Sequence, residues 1–334
     1  MGIKNLTAFL SEHCPEAIKE SELSELYGKK VAIDTSIFLY RFKYKGNKLI
    51  LKFFEQINRL RLHNITPIYI FDGVPPDEKK SVLISRKLKL EEKRNKIDIL
   101  KTDLEKTTDL EQIKTINNDI NTLQNKIIYV SKDDIYQVKY LFDLLNIKFI
   151  VAEGESDLLC SKFCSEGIVD FVISEDMDLL TSGTNILVRD FNIYNNKITI
   201  YNLKTILDKL ELSYEKWVEL CIMFGCDYLK RINGIGPKKS YKFIKKNDSI
   251  EQIIDYFKTS NISVEDNYIA NFKNAKHLFM NYSIDYIPNT INLVCIDKLF
   301  DNQLTNINIF ITKYTNLSSK QISNRINNIY KNIL

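Results

Sequence analysis

The sequence predicts an α/β protein with a central, mostly parallel twisted sheet flanked by helices. Three observations carry this. Four runs rich in β-branched or aromatic residues lead into acids: Val31-Ala-Ile-Asp34, Tyr69-Ile-Phe-Asp72, Ile147 to Ala152 before Glu153-Gly-Glu155, and Phe171-Val-Ile-Ser174 before Asp176-Met-Asp178. Amphipathic helical patterns separate these runs, as parallel strands require. From Asp77 to about Lys132 the chain has no Gly or Pro and reads as a helical projection outside the sheet.

Residues 3 to 27 read as a first helix (Leu6, Phe9, Leu10) and a polar connection, before the strand Val31 to Asp34. A helix carrying Ile37 to Arg41 follows, then an amphipathic helix from about Leu49 to Leu62, then the strand Ile68 to Phe71. Asp72-Gly-Val-Pro-Pro breaks regular structure. In the projection, Ile113, Ile116, Ile120, Leu123 and Ile127 alternate steps of three and four, the mark of one helix laid along another. Lys79 and Arg86, seven apart, share a face at its base, with Lys80 and Lys87 beside them. Such a charge run is often only a solvated face, but here it follows directly on a strand-end acid.

After the stretch from Val151 to Ser182 come two short strands around Ile186 to Val188 and Ile198 to Tyr201. Leu220 to Lys246 places Gly234-Ile-Gly236-Pro-Lys238-Lys239 between two helical patterns. Glycines let backbone approach a phosphate, and the next helix offers its first N–H groups. The segment reads as a helix-hairpin-helix that grips a duplex backbone without reading its sequence. Beyond Asp248 there is helical periodicity and no interpretable motif.

Strands of an open parallel sheet present their carboxyl ends along one edge, so the acids that end these runs should converge. Any one of them alone is equally well a solvated turn. Together they repel one another and hold protons unless a cation sits among them. An oxygen-only donor set suits Mg²⁺ or Mn²⁺, and several carboxylates can hold the two ions that clamp attacking and leaving oxygens in phosphodiester hydrolysis.

A length of 334 residues allows one large or two modest domains. No apolar run is long enough for a membrane span, and MGIKNLTAFL does not read as a secretory signal. Gly2 is no expected myristoylation site, since position 6 is Leu. The cysteines (14, 160, 164, 221, 226, 295) form no CxxC pair; Cys160 and Cys164, four apart on a helix, read as buried thiols in a reduced, intracellular compartment, with the nucleus expected and the cytoplasm the alternative.

With these residues in view, the chain resembles the XPG family of structure-specific 5′ nucleases, and within it the flap endonucleases. The likeness runs from Met1 to about Ile254. It is carried by the MGI start, Val31-Ala-Ile-Asp34, Phe71-Asp72-Gly73 with Pro75-Pro76, Glu153-Gly-Glu155, Glu175-Asp-Met-Asp178, Gly225-Cys-Asp227-Tyr228 and Gly234-Ile-Gly-Pro-Lys238.

The resemblance implies a PIN-like 5′ nuclease fold with a helical arch at 77–132 and a helix-hairpin-helix (H2TH) motif. It divides the chain into a nuclease core of residues 1–254 (1–76, the arch, an internal catalytic region 133–219 and the hairpin region 220–254) and a C-terminal helical extension, 255–334. It implies that Asp34, Asp72, Glu153, Glu155, Asp176, Asp178 and Asp227 surround two Mg²⁺ ions, with Mn²⁺ able to substitute. Setting those seven aside leaves 47 basic against 36 acidic side chains, a basic body around an acidic pocket, which suits a polyanion. Lys79 and Arg86 match the basic pair that steers the scissile phosphate, acting with Asp34 and Asp178 as the catalytic set. The DNA-facing set is Tyr40, which stacks on the base beside the cut, with Arg59, Glu153, Gly225, Asp227, Gly234, Gly236, Lys238 and Lys239. The hairpin is implied to hold K⁺ through backbone carbonyls.

The implied partner is branched DNA bearing a 5′ flap, cut by a monomer. Between Tyr40 and Phe54 the chain is shorter than many relatives, and Gln56 stands where they often carry Arg; the basis for a one-nucleotide 3′-flap preference is thereby weakened. Ile333-Leu334 closes the sequence without the glutamine and paired-phenylalanine tail that docks relatives on the sliding clamp, which weakens that expectation too. The alternatives are a 5′ exonuclease or junction resolvase of the same family, a DNA-binding relative without catalysis, and a sugar-nucleotide transferase or phosphatase using Asp176-Met-Asp178. The last leaves Asp34, Asp72, Asp227 and the hairpin unexplained.

Overall fold

The computed structural model describes residues 2–44, 48–76, 79–192, 194–280 and 301–330. Met1, Asp77, Cys295 and Ile333-Leu334 lie outside them. In chain order the elements are α1 (Leu6–His13), β1 (Ile18–Glu22), β2 (Lys30–Asp34), α2 (Thr35–Lys43), α3 (Leu49–Leu62), β3 (Thr66–Phe71), α4 (Lys80–Lys106), α5 (Leu110–Asn125), α6 (Lys132–Leu144) and β4 (Lys148–Val151). There follow α7 (Ser156–Ser165), β5 (Phe171–Ile173), α8 (Asp178–Thr181), β6 (Ile186–Arg189), β7 (Lys197–Asn202), α9 (Leu203–Leu210), α10 (Tyr214–Phe224), α11 (Pro237–Lys246), α12 (Ile250–Thr259), α13 (Tyr268–Met280), α14 (Asp301–Tyr314) and α15 (Ser319–Tyr330).

The strands form one sheet in the order β1-β7-β6-β5-β2-β3-β4. The run from β6 to β4 is parallel, and β7 and β1 are added antiparallel. The chain builds outward from β2 through β3 to β4, then crosses back and continues from β5 on the other side of β2. The order therefore reverses between β2 and β5, and a crevice opens there at the carboxyl ends of both strands.

Both faces of the sheet are covered, which is why its central strands read as unbroken apolar runs. Ala32, Ile68, Ile70 and Val172 point into one core with Trp217 and helices α1, α7 and α10 to α13. Val31, Ile33, Tyr69, Phe71, Phe171 and Ile173 point into the other, with Phe38, Phe53, Phe54 and Phe142. The period of two places alternate residues of one strand in opposite cores.

One element departs from expectation. Residues 18–22, IKESE, form an edge strand paired with β7 rather than a plain polar connection. An edge strand pairs on one side only, so charged residues are tolerated and discourage pairing with another chain. The projection is a helical hairpin of α4 and α5, closed along the expected stripe with Ile97 and Ile120 buried at its centre. Among the described residues no helix is long and apolar enough to cross a membrane.

The described helices beyond α11 pack back on both layers. Phe257, Phe272 and Phe279 join the core around Trp217. Ile307 and Ile311 of α14 and Ile322, Ile326 and Ile329 of α15 are buried with Phe53 and Phe142. Each such burial contributes about 1.5–3 kcal/mol before ordering costs. Arg61 Nε donates to the Ile329 carbonyl at 3.2 Å and Tyr330 Oη to the Leu145 carbonyl at 2.6 Å, so α15 is also tied to the core by polar contacts. The five described cysteines are free and buried.

Candidate active site

Asp34 is the last residue of β2 and lies at the switch crevice, almost wholly buried. Ser156 Oγ, at the start of α7, is 2.8 Å from Asp34 Oδ1 and 2.7 Å from Asp72 Oδ1, while Ser174 Oγ donates to Asp34 Oδ2 at 2.9 Å. The Ser156 hydroxyl has a single hydrogen, so it serves one of these two carboxylates at a time. Burial, and then the nearby Asp72 charge, pushes the Asp34 carboxyl up to about 7, against the pull of both serine hydroxyls. Asp72 follows β3 and also accepts from the Ser156 N–H at 2.9 Å.

Glu155 caps the amino end of α7. One oxygen pairs with Lys79 Nζ, and the other accepts from Tyr228 Oη at 2.5 Å. Burial works against the Lys79 ammonium, but Glu155, Asp157 and Asp227 hold it charged. Arg86, two turns along α4, donates from Nη2 to Asp227 Oδ2 at 2.7 Å. Asp176 Oδ1 accepts from the Asp178 N–H at 3.1 Å, and Asp178 Oδ1 is buried with no hydrogen-bond partner. Burial, then Asp176 and Asp227, raise the Asp178 carboxyl well above the usual range.

Asp34, Asp72, Glu155, Asp176 and Asp227 thus line one hollow of about 140 Å³ together with Tyr40, Lys79 and Arg86. Asp178 adjoins it through Asp176. Gly2 presses against the same pair with a left-handed φ of 86°; a Cβ there would stand 2.3 Å from Asp176 Oδ1 and 2.8 Å from Asp178 Oδ1. Glu153 is exposed on the β4–α7 loop and is not among the lining residues; its carbonyl accepts from the Val74 N–H at 3.0 Å.

The DNA-facing residues named from sequence lie on several surfaces. Tyr40 is half exposed at the rim of the hollow. Gly225 ends α10, and its carbonyl accepts from the Lys4 N–H at 3.1 Å. Gly234 and Gly236 shape the hairpin before α11, where Lys238 pairs with Glu12 at 2.5 Å and Lys239 Nζ donates to the Gly234 carbonyl at 3.0 Å. Arg59 lies apart from the hollow, with Nη1 donating to Asn196 Oδ1 at 3.4 Å. Gln56 is fully buried and accepts from Tyr69 Oη at 3.0 Å, so it faces the core.

Sequence reasoning missed Ser156, Ser174, Tyr228 and Asp157. Ser156 and Asp157 begin α7, where a hydroxyl or an acid looks like an ordinary cap, and Ser174 and Tyr228 lie in irregular segments with no period to mark them. Among the described residues no three His, Cys, Asp or Glu side chains are already set around one metal position. Asp34, Asp72, Glu155 and Asp227 are instead held by serine, tyrosine, lysine and arginine donors. The donor chemistry still fits a hard divalent cation: the acids are all oxygen ligands, they crowd one another, and the buried Asp178 Oδ1 lacks a partner.

Comparison with known proteins shows the family of the chain. The chain matches the XPG N-terminal domain over residues 1–93 and the XPG I-region over 146–227. It is 33% identical over 296 residues to flap endonuclease 1 of Aedes aegypti, covering 84% of this chain and 74% of that one. In fold it is similar to the catalytic core of Rad2, with a TM-score of 0.71 at 19% identity over 97% of this chain and 99% of that one. It is similar too to the Holliday junction-resolving enzyme GEN1 solved with product DNA and Mg²⁺, with a TM-score of 0.67 at 18% identity over 98% of this chain and 78% of that one. The resemblance read from the motifs is borne out, and the chain belongs to the flap endonucleases of the XPG family, metal-dependent nucleases that cut DNA according to its structure.

Proposed function

We propose that this hollow hydrolyses a phosphodiester bond beside a single-strand to duplex junction of DNA, entered from a 5′ end, and leaves a 5′-phosphate. The observation that carries the reading is the meeting of acids from strand ends and the α10–α11 loop beneath Lys79, at the amino end of α4, and Arg86 within it. Asp34, Asp72, Glu153, Glu155, Asp176, Asp178 and Asp227 would hold two Mg²⁺ or Mn²⁺ ions; Glu153 enters this set from the resemblance. Divalent ions bound there supply Lewis acidity toward the phosphate and the attacking water. Mg²⁺ in the similar GEN1 structure supports that choice of ion.

Lys79 and Arg86 receive the scissile phosphate and offset charge that develops on it, exchanging their present carboxylate partners for its oxygens. Tyr40 offers a ring to the base beside the cut. The 234–239 hairpin, with Lys238 and Lys239, holds the duplex backbone, and Arg59 and Gly225 complete the DNA-facing set from other surfaces. A K⁺ ion at the hairpin carbonyls would compete with Lys239 Nζ for Gly234. In this reading residues 1–254 carry the chemistry, 77–132 bound the path of the flap, and the described helices of the 255–334 extension brace the core. The protein acts as a monomer inside the cell, in the nucleus.

A Mg²⁺ titration on a 5′ flap, a recessed 5′ end and a four-way junction tests this. The flap is expected to be cut fastest, and Asp178→Asn to bind it without cutting. Comparable cleavage by that variant removes the metal assignment; faster cutting of the recessed end or the four-way junction reassigns the substrate within the family.

A further inference from the structure

Six carboxylates line the hollow against two cations, and one of the six, Asp157, is not among the seven acids that the resemblance implies. It occupies the first turn of α7, two residues after Glu155. Its Oδ1 accepts from the Leu158 N–H at 2.9 Å, a neutral backbone donor rather than a cation. The charges that act on it are Glu155, Asp34 and Asp176, with Lys79 opposing them.

An acid in a first helical turn is favoured by the helix dipole, and that would be a sufficient account on an open surface. Here the same acid stands among like charges, and the single Lys79 ammonium is already paired with Glu155 and near Asp227. Next to this cluster, where Asp178 adjoins it through Asp176, the buried Asp178 Oδ1 also lacks a hydrogen-bond partner, as expected of an acid kept for a cation.

We propose that Asp157 is an eighth carboxylate of the divalent-cation site, a supporting group that strengthens the hollow's hold on the ions. The inference rests on the metal reading above. Groups that support metal ligands without being ligands themselves typically change affinity by about 10–100-fold, and that is the scale expected here.

The test is Mn²⁺ binding to the full chain, followed by electron paramagnetic resonance without DNA, for the parent, Asp157→Asn, Asp157→Ser, Asp157→Glu and Asp178→Asn. Asp157→Asn is expected to weaken Mn²⁺ binding about tenfold with its thermal midpoint unchanged in chelator, and Asp157→Glu to restore most of the affinity. If Asp157→Asn lowers the midpoint and leaves Mn²⁺ affinity within about twofold of the parent, Asp157 is a helix-end residue and the proposal is overturned. Should Asp157→Asn not fold, Asp157→Ser decides: a folded protein with about a tenfold loss of Mn²⁺ affinity supports the proposal, and affinity within about twofold of the parent overturns it. A parent that binds no Mn²⁺, indistinguishable from Asp178→Asn, would instead remove the metal reading itself.

Discussion

Arg86 Nη2 stands 2.7 Å from Asp227 Oδ2, joining the base of the arch to the loop between α10 and α11 across the mouth of the site. Beside it Lys79 pairs with Glu155. The two cations thus rest on the same acids that, in the proposed reaction, the phosphate and its ions would approach. Arg86→Ala and Lys79→Ala are each expected to slow single-turnover cleavage of a 5′-flap duplex by about 10²–10³-fold, the usual loss for one aimed donor. Affinity for the uncut duplex should change far less. An unchanged rate would mean that α4 only bounds the channel.

Gly2 tolerates no side chain. Its φ of 86° and the 2.3 Å approach of a Cβ to Asp176 Oδ1 require either the backbone or the Asp176-Met177-Asp178 loop to move. Displacing reacting groups by about 1 Å can cost about 10²-fold in rate. Gly2→Ala is expected to lose cleavage on that scale while its circular dichroism stays that of the parent; parent-like cleavage would place the loop's working position elsewhere.

The metal-free protein should be more stable in mild acid than at neutral pH. Asp34 has a folded pKa of about 7 against 3.8 for its ordinary value. Between those two values the folded state binds more protons than the unfolded one, so stability falls as pH rises through the window and levels off above 7. The size is on the order of a few kcal/mol. Urea unfolding in chelator from pH 4.5 to 8, interpreted with roughly 1.4 kcal/mol per unit of differential protonation, measures it. Mg²⁺ should flatten the profile at the alkaline end, because bound cation favours the ionised acids. A profile that rises with pH in chelator would contradict the burial of an uncompensated carboxyl.

The C-terminal helices are part of the load on the core. Ile322 is fully buried between α15 and the layer that contains Phe53. Ile322→Ala should cost about 2–5 kcal/mol in urea unfolding, with cleavage retained wherever the protein remains folded. A loss under about 0.5 kcal/mol, the size of an ordinary surface change, would show that α15 is not held in place.

Much of the site could be read from the chain because its acids terminate strands that the apolar runs define. β2, β3 and β5 are buried on both sides, so their residues have no polar alternation to confuse them with helix, and the acid that ends each run is conspicuous. β1 was illegible for the opposite reason: it is an edge, its IKESE residues are mostly in water, and only pairing with β7 makes it a strand. Asp227 gives no strand-end signal and is recovered only through the family motif Gly225-Cys-Asp227-Tyr228. It reaches the site because packing brings the α10–α11 loop over the sheet's edge.

By itself the sequence determined the periodic burial of strands and helices, the carboxyl-terminal placement of Asp34, Asp72 and Asp176, and the helical nature of the arch, since these depend on repeats of two or about 3.6 residues. Only the tertiary structure decided which oxygens face one another. The reversal of strand order between β2 and β5 brings Asp34 to Ser174, and the return of α4 over that edge puts Lys79 on Glu155. It also left Glu153 exposed and drew Asp157 in. Local periodicity cannot encode such meetings, because they depend on the order in which distant segments pack.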